Sequence, residues 1–296
     1  MAFFSLIVPT RNRNKELYRL LESLKTQTCT DFEVIIVDQN EQNILSQIDY
    51  KLKYNITACV VKPPELLCAS AARNLGVKFA RAEYLGFPDD DCWYKNNTLQ
   101  MVETIFLENN EIDMVSGIGK DPDNGGLSNS RFLAREKVVA KRYEIFKAGI
   151  EYSFFIKTSV FNFVNGFDES ISTGSNSIFQ SGESADLFFK VLECRKKIFF
   201  TPSLIIYHPY KNYFLDTEST ALSDWSKIKN KQYGYAAGFG YVLKKHKCYL
   251  LFSYYIIRSI GALIISLFTF NSNKIGMQWS NLKGRIAGFL YNSKCI

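Results

Sequence analysis

The sequence predicts an α/β fold, with a doubly wound, mostly parallel sheet and a basic, apolar helical C-terminal tail. Short apolar runs alternate with helix-period segments through the first 120 residues, the pattern of parallel β-α-β units. Polar residues follow several of these runs directly, where an open α/β sheet binds its ligands. The 296 residues are 47% hydrophobic, enough for a substantial core and inconsistent with disorder.

The elements read in order. Phe4-Ser5-Leu6-Ile7-Val8 is a short buried strand. Asn14 is placed to cap a helix running to about Leu24, with Leu17, Leu20, Leu21 and Leu24 on one face. Phe32 to Val37 is a second strand, Asn43 to Ile48 a short helix and Thr57 to Val61 a third strand. Cys68 to Ala80 reads as a helix whose apolar members are Ala72, Leu75, Val77 and Phe79. Tyr84 to Phe87 is a fourth strand, Lys95 to Glu108 a helix and Asp113 to Ser116 a fifth strand. Residues 121–150 are polar and mixed, with Asp-Pro-Asp-Asn-Gly-Gly marking a loop, followed by the apolar Phe154-Phe155-Ile156, a turn at 166–168, a mobile loop over 172–180 and a helix from Glu183 to Cys194.

Charge divides the chain. Net charge is +7, yet 11 of the 36 basic residues and none of the 29 acidic ones fall in 226–296, leaving the body at −4. An acid-free basic tail calls for a polyanionic partner. Its stretch Tyr249 to Phe270 is apolar except for Arg258. It can be a helix or hairpin lying on a membrane surface, a membrane span, or ordinary core. The expected organisation is a catalytic domain over 1–225, with halves 1–120 and 121–225, and a membrane-associating tail over 226–296. The seven cysteines are scattered without metal-like spacing and read as reduced thiols. The N-terminus has no basic n-region or cleavage site, so no signal peptide is read.

Three polar sets fall at strand ends and are expected to converge: Thr10-Arg11, Asp38-Gln39-Asn40 and Asp89-Asp90-Asp91. Three adjacent carboxylates repel one another unless a cation lies among them. Hard oxygen ligands suit Mg2+ or Mn2+, and such ions commonly share their shell with substrate phosphates.

The order V-P-T-R-N-R, V-I-I-V-D, A-A-R-N-L-G, Y-L-G-F-P-D-D-D-C, G-F-D-E, S-G-E-S-A-D-L, Y-H-P resembles the family 2 glycosyltransferases over about residues 3–210. The resemblance implies the GT-A nucleotide-diphospho-sugar fold, an inverting mechanism and a nucleotide-sugar donor, with uridine as the default base. By that likeness Pro9, Thr10 and Arg11 meet the nucleotide, Asp38 reads the base, and Arg73 approaches the diphosphate. Asp91 matches the metal ligand, Asp90 faces the ribose, Asp89 supports them, and His208 resembles a histidine completing the metal shell. Trp93 and Tyr94 are candidates for stacking on the acceptor side.

Inverting transfer needs a general base for the acceptor hydroxyl. The family supplies it from an acidic pair, but here the run is Glu183-Ser184-Ala185-Asp186. Glu183 and Asp186 both stay candidates. The tail resembles the ends of bacterial surface-polysaccharide (O-antigen, lipopolysaccharide, capsule) transferases, which implies an acceptor glycan on a polyprenyl diphosphate. It also implies peripheral contact with the cytoplasmic membrane face. Competing readings fit less well: no glycine-rich phosphate loop marks a nucleotidyltransferase, no Q-x-x-R-W marks a processive synthase, and no motif marks a nucleic-acid binder.

Overall fold

β1 (Phe4–Thr10) and β2 (Phe32–Asp38) are buried at nearly every position. This is the continuous apolar run of a strand covered on both faces. In the computed structural model, which describes residues 2–42, 45–123, 125–127, 132–209 and 222–292, they pair in parallel, Thr10 beside Asp38. Between them α1 (Asn14–Lys25) buries Leu17, Leu20, Leu21 and Leu24. Asn14 is the first helical residue rather than the cap; Arg13 holds that position and makes no capping bond.

The expected helix at Asn43–Ile48 begins outside the described residues, and Leu45–Gln47 form a 3-10 turn. Next come α2 (Tyr50–Tyr54), β3 (Thr57–Val61), α3 (Ala69–Val77) and β4 (Tyr84–Gly86). Because α3 ends at Val77, Phe79 falls beyond it and is exposed rather than buried. After β5 (Trp93–Tyr94) and α4 (Thr98–Glu108) come β6 (Met114–Lys120), β7 (Lys137–Val139), β8 (Phe154–Lys157) and α5 (Thr158–Phe163). β7 and a 3-10 helix at Arg142–Lys147 lie in the polar, mixed segment 121–150, to which the sequence pattern assigns no element. The chain continues through α6 (Glu183–Glu193), β9 (Ile198–Tyr207), α7 (Leu222–Lys245), α8 (Tyr249–Leu267) and α9 (Ser272–Leu290).

Among the described residues the strands form one sheet, ordered β3-β2-β1-β4-β8-β6-β9-β5, with β7 also on β9. Its first half is parallel as expected, but its second half is mixed: β8 is antiparallel to both β4 and β6. Helices cover both faces. Leu6, Val8, Val34 and Ile36 pack in one cluster with α1, α2 and α4. On the other side α3 comes so close that a Cβ at Gly76 would lie 2.4 Å from Ile7 Cγ2.

Contacts divide the chain into two compact units, 1–167 with 187–210, and 168–186 with 211–296. The first contains the sheet. In the second, α9 packs on α7 at backbone distance: a Cβ at Gly288 would lie 1.9 Å from the Ala237 carbonyl oxygen. α8 is different. Its mean hydropathy is 1.8, yet only 11% of that stretch is buried, so it is not core.

One buried carboxylate ties the early strands together. Glu33 accepts from Ser5 Oγ (2.7 Å), from the Arg81 backbone N–H (2.8 Å) and from the Arg81 guanidinium (2.6 and 3.0 Å). Burial pushes its carboxyl up, but these donors outweigh burial and hold it below the ordinary 4.5. A depressed carboxyl gives stability that is whole above the unfolded pKa and lost as pH falls through the folded one. Glu33→Ala is expected to cost about 1–2 kcal/mol at neutral pH, because it leaves buried Ser5 Oγ and the Arg81 backbone N–H without their acceptor. Urea melts at about pH 7 and about pH 3 should show a smaller acid loss in the variant than in the wild type.

Candidate active site

The acidic run follows β4 directly, so its side chains emerge at the carboxyl end of the sheet's parallel half. Four elements distant in sequence supply its partners. From β1, Thr10 Oγ1 donates to Asp90 Oδ2 at 2.8 Å. From the turn before α1, Arg13 reaches Asp90 Oδ1 at 3.2 Å and Asp91 Oδ2 at 2.6 Å. From α3, buried Arg73 meets Asp89 Oδ1 at 2.7 Å. Just after β9, His208 Nε2 lies 3.1 Å from Asp91 Oδ1, its ring stacked on Tyr152 with centroids 4.7 Å apart.

The three carboxyls are not equivalent. Burial raises Asp90 to about 6, opposed by Thr10 and Arg13. Burial also raises Asp89, against the Arg73 cation. Burial pushes Asp91 the same way, but His208 and Arg13 outweigh it and hold it below the usual range. Burial lowers His208, and Asp91 more than reverses that, so the imidazole is easier to protonate than usual. Asp89, Asp91 and His208 each offer one ligand atom, and these atoms all lie within 4.8 Å of one another. Two carboxylate oxygens and an imidazole nitrogen form a donor set that fits Mn2+ or Mg2+.

The neighbouring strand end is also drawn in. Asp38 is 1% exposed; its Oδ1 accepts from the Asn40 N–H (2.9 Å) and side-chain amide (2.7 Å), and Lys62 Nζ lies 3.8 Å from Oδ2. Pro9 is half-buried and Arg11 exposed at the end of β1. Trp93 is half-buried on β5, with the Arg19 guanidinium 3.8 Å above its ring. Tyr94 turns into the core, edge-on to Phe155 at 6.2 Å, so its packing leaves no free ring face for a sugar. Sequence reasoning missed Arg13, Arg19 and Tyr152. Arg13 stands inside the V-P-T-R-N-R run, whereas nothing local marks Tyr152.

Glu183 and Asp186 belong to the second unit. Both are buried in the first turn of α6. Asp186 is 0% exposed, and its Oδ1 receives Lys245 Nζ at 2.7 Å and His246 Nε2 at 2.8 Å. The stretch 172–180, read as a mobile loop, is cross-bonded: Ser172 N donates to Phe179 O, Gly174 N to Gln180 Oε1, and Gln180 Nε2 to Ser177 O.

The sequence profile of Glycosyl transferase family 2 matches residues 5–181. An uncharacterized glycosyltransferase of Haemophilus influenzae is 33% identical over 113 residues, 38% of this chain and 37% of that protein. Poly(ribitol-phosphate) beta-N-acetylglucosaminyltransferase TarP of Staphylococcus aureus is 32% identical over 123 residues, 40% of this chain and 36% of its own. Amylovoran biosynthesis glycosyltransferase AmsB of Erwinia amylovora is 32% identical over 110 residues, 34% and 35% of the two chains. The chain thus spans about a third of the length of the curated relatives it matches. Among solved structures, Staphylococcus aureus TarS in complex with UDP-GlcNAc aligns with TM-score 0.61 at 15% identity, over 97% of this chain and 91% of that one. Mannosyltransferase PcManGT from Pyrobaculum calidifontis, in complex with GDP-Man and Mn2+, aligns with TM-score 0.65 at 13% identity, over 97% and 87%. At such identities the likeness is one of fold. With a profile match across more than half its length and the strand-end carboxylates where a nucleotide-sugar fold needs them, this chain belongs to glycosyltransferase family 2.

Proposed function

We propose that the chain transfers one sugar, with inversion, from a uridine-diphosphate sugar to a glycan acceptor carried on a polyprenyl diphosphate, in bacterial surface-polysaccharide synthesis. The observation that carries this reading is the Asp89–Asp91–His208 cluster at the strand ends. In this reading these three residues hold Mn2+ or Mg2+, which supplies positive charge against the leaving diphosphate. Asp89 thus joins Asp91 and His208, beyond the support role its position in the run implied. Pro9, Thr10 and Arg11 line the nucleotide and Asp38 reads the base. Asp90, fixed by Thr10, faces the ribose. Arg73 and Arg13 are bidentate-capable cations suited to phosphate oxygens. Trp93 faces the acceptor side.

Glu183 takes the proton from the acceptor hydroxyl. Asp186 is the weaker candidate, because its fully buried Oδ1 is already engaged by Lys245 and His246. The donor base follows the family default and the UDP-GlcNAc bound by TarS; the GDP-Man bound by PcManGT defines the competing donor class. The test is a panel of UDP- and GDP-sugars with a polyprenyl-diphosphate acceptor, with and without Mn2+. Cation-dependent release of nucleoside diphosphate is expected, and Asp91→Asn should lower kcat/KM by about a hundredfold or more. Cation-independent transfer, or release of pyrophosphate instead, would overturn the reading.

The tail fits an in-plane membrane contact at the cytoplasmic face better than a span. Leu250, Tyr254, Ile257, Ile264, Ile265 and Phe268 on and just after α8 are exposed together. They form a helical stripe in an acid-free segment, the composition that binds anionic lipid surfaces. The following helix, α9, carries Lys274, Lys283 and Arg285, a poor composition for a second pass. The full chain is expected to sediment with phosphatidylglycerol vesicles, less so in high salt, and weakly with phosphatidylcholine. Replacing exposed Ile257 and Ile264 by Asp should abolish sedimentation; undiminished binding by that variant would remove α8 as the anchor.

A further inference from the structure

The tail's α7 is bonded to the segment that leads into α6. Lys245 Nζ, near the end of α7, lies 2.6 Å from Asp168 Oδ2 and 2.7 Å from Asp186 Oδ1. These two carboxylates open and close the segment 168–186, so one ammonium joins both ends of its neck. His246 adds a second bond to Asp186 at 2.8 Å, and Asp168 is itself fixed by Ser170, whose N–H and Oγ donate to its Oδ1.

The segment then leans on the same helix. Gln180 N donates to Gly234 O at 3.2 Å, and Ser181 Oγ to Tyr235 O at 3.1 Å. The Phe179 ring stacks on Tyr241, with centroids 4.2 Å apart. One turn along, a Cβ at Gly238 would lie 1.8 Å from the Ser181 carbonyl oxygen, so only glycine permits this approach. The next residue, Gly182, has φ +114°, and Glu183 follows it.

We propose that Lys245 is a positioning residue for the reaction. By clasping Asp168 to Asp186 it fixes the first turn of α6, and with it the direction of the Glu183 carboxylate. This rests on Glu183 being the base. Asp186 lies three residues after Glu183, so its carboxylate anchors the turn from which Glu183 projects. His246 holds the same anchor from the adjacent position. The tail is then part of the catalytic machinery as well as a membrane contact.

A clasp that served only stability would reduce the fraction of folded enzyme and leave turnover per folded site unchanged. A positioning clasp lowers turnover per site, since displacing a reacting group by about 1 Å can cost on the order of a hundredfold. The experiment compares full-length Lys245→Met, Lys245→Arg, Asp168→Asn and Glu183→Gln. Each is titrated with the nucleoside diphosphate of the panel donor that turns over fastest, in the presence of Mn2+, to count competent sites. Each is then assayed, with the polyprenyl-diphosphate acceptor, for nucleoside-diphosphate release from that donor.

Lys245→Met is expected to lose roughly tenfold to a hundredfold in kcat per site, with donor KM nearly unchanged. Lys245→Arg should recover most of it, and Asp168→Asn should lie between. Should Lys245→Met fail to fold, Asp168→Asn carries the same test. Wild-type kcat per site in Lys245→Met or Asp168→Asn, beside an inactive Glu183→Gln, overturns the clasp and leaves Glu183 standing. A fully active Glu183→Gln overturns both.

Discussion

Three neighbouring carboxylates can share a strand end only if positive charge and hydrogen-bond donors surround them, and much of the first unit serves that requirement. Isolated, Asp89, Asp90 and Asp91 would repel one another within a partly buried, low-dielectric site. Thr10 and Arg13 come from the β1 end, Arg73 from α3 and His208 from the β9 end. Each lies many residues away in sequence, so none of these partners is available until the sheet has assembled. The sheet therefore creates the site, and the site's charges become tolerable only on the completed sheet. Their inequality follows: burial pushes Asp90 up to about 6 against Thr10 and Arg13, whereas at Asp91 the bonds from His208 and Arg13 outweigh burial and hold the carboxyl below its usual range.

The parts of this arrangement legible in the sequence are those fixed by local pattern. β1, β2 and β3 are unbroken or nearly unbroken apolar runs, and Thr57–Val61 matches its expected limits. The polar residues after β1, β2 and β4 needed only the rule that such sheets bind ligands at strand ends. β9 was hidden because Pro202 interrupts it. The register against β6 shifts there, between Ser116 and Ile118, and Gly117 lies so near that a Cβ would meet the Leu204 carbonyl oxygen at 2.1 Å. A proline is tolerated at such an irregularity and not within a regular ladder, so periodicity alone discards the strand. β5 is two residues long and has no period to read. The antiparallel placement of β8 is likewise a tertiary choice with no local signature.

The same distinction explains the acidic residues of α6. In the sequence, Glu183 and Asp186 are two carboxylates in one helical turn, both suited to a helix N-terminus. Asp186 takes its partners from about 60 residues away, where Lys245 and His246 bind it, and no local pattern marks that pairing.

The acid-free tail gives this pairing its logic. A segment with eleven basic residues and no acidic ones cannot neutralise its own cations, and each must find an anion elsewhere or stay hydrated. Lys245 finds Asp168 and Asp186. Arg285 has no such partner among the described residues: it donates to the Tyr255 carbonyl oxygen and Ser259 Oγ and lies against the Phe239 and Tyr255 rings. Burial, with Arg258 nearby, makes its guanidinium easier to deprotonate than usual. The division of charge in the sequence is thus resolved in two ways. Where the tail meets 168–186, its cation is neutralised by carboxylates; on α8 and α9, Arg258 and Arg285 lie against aromatic rings instead.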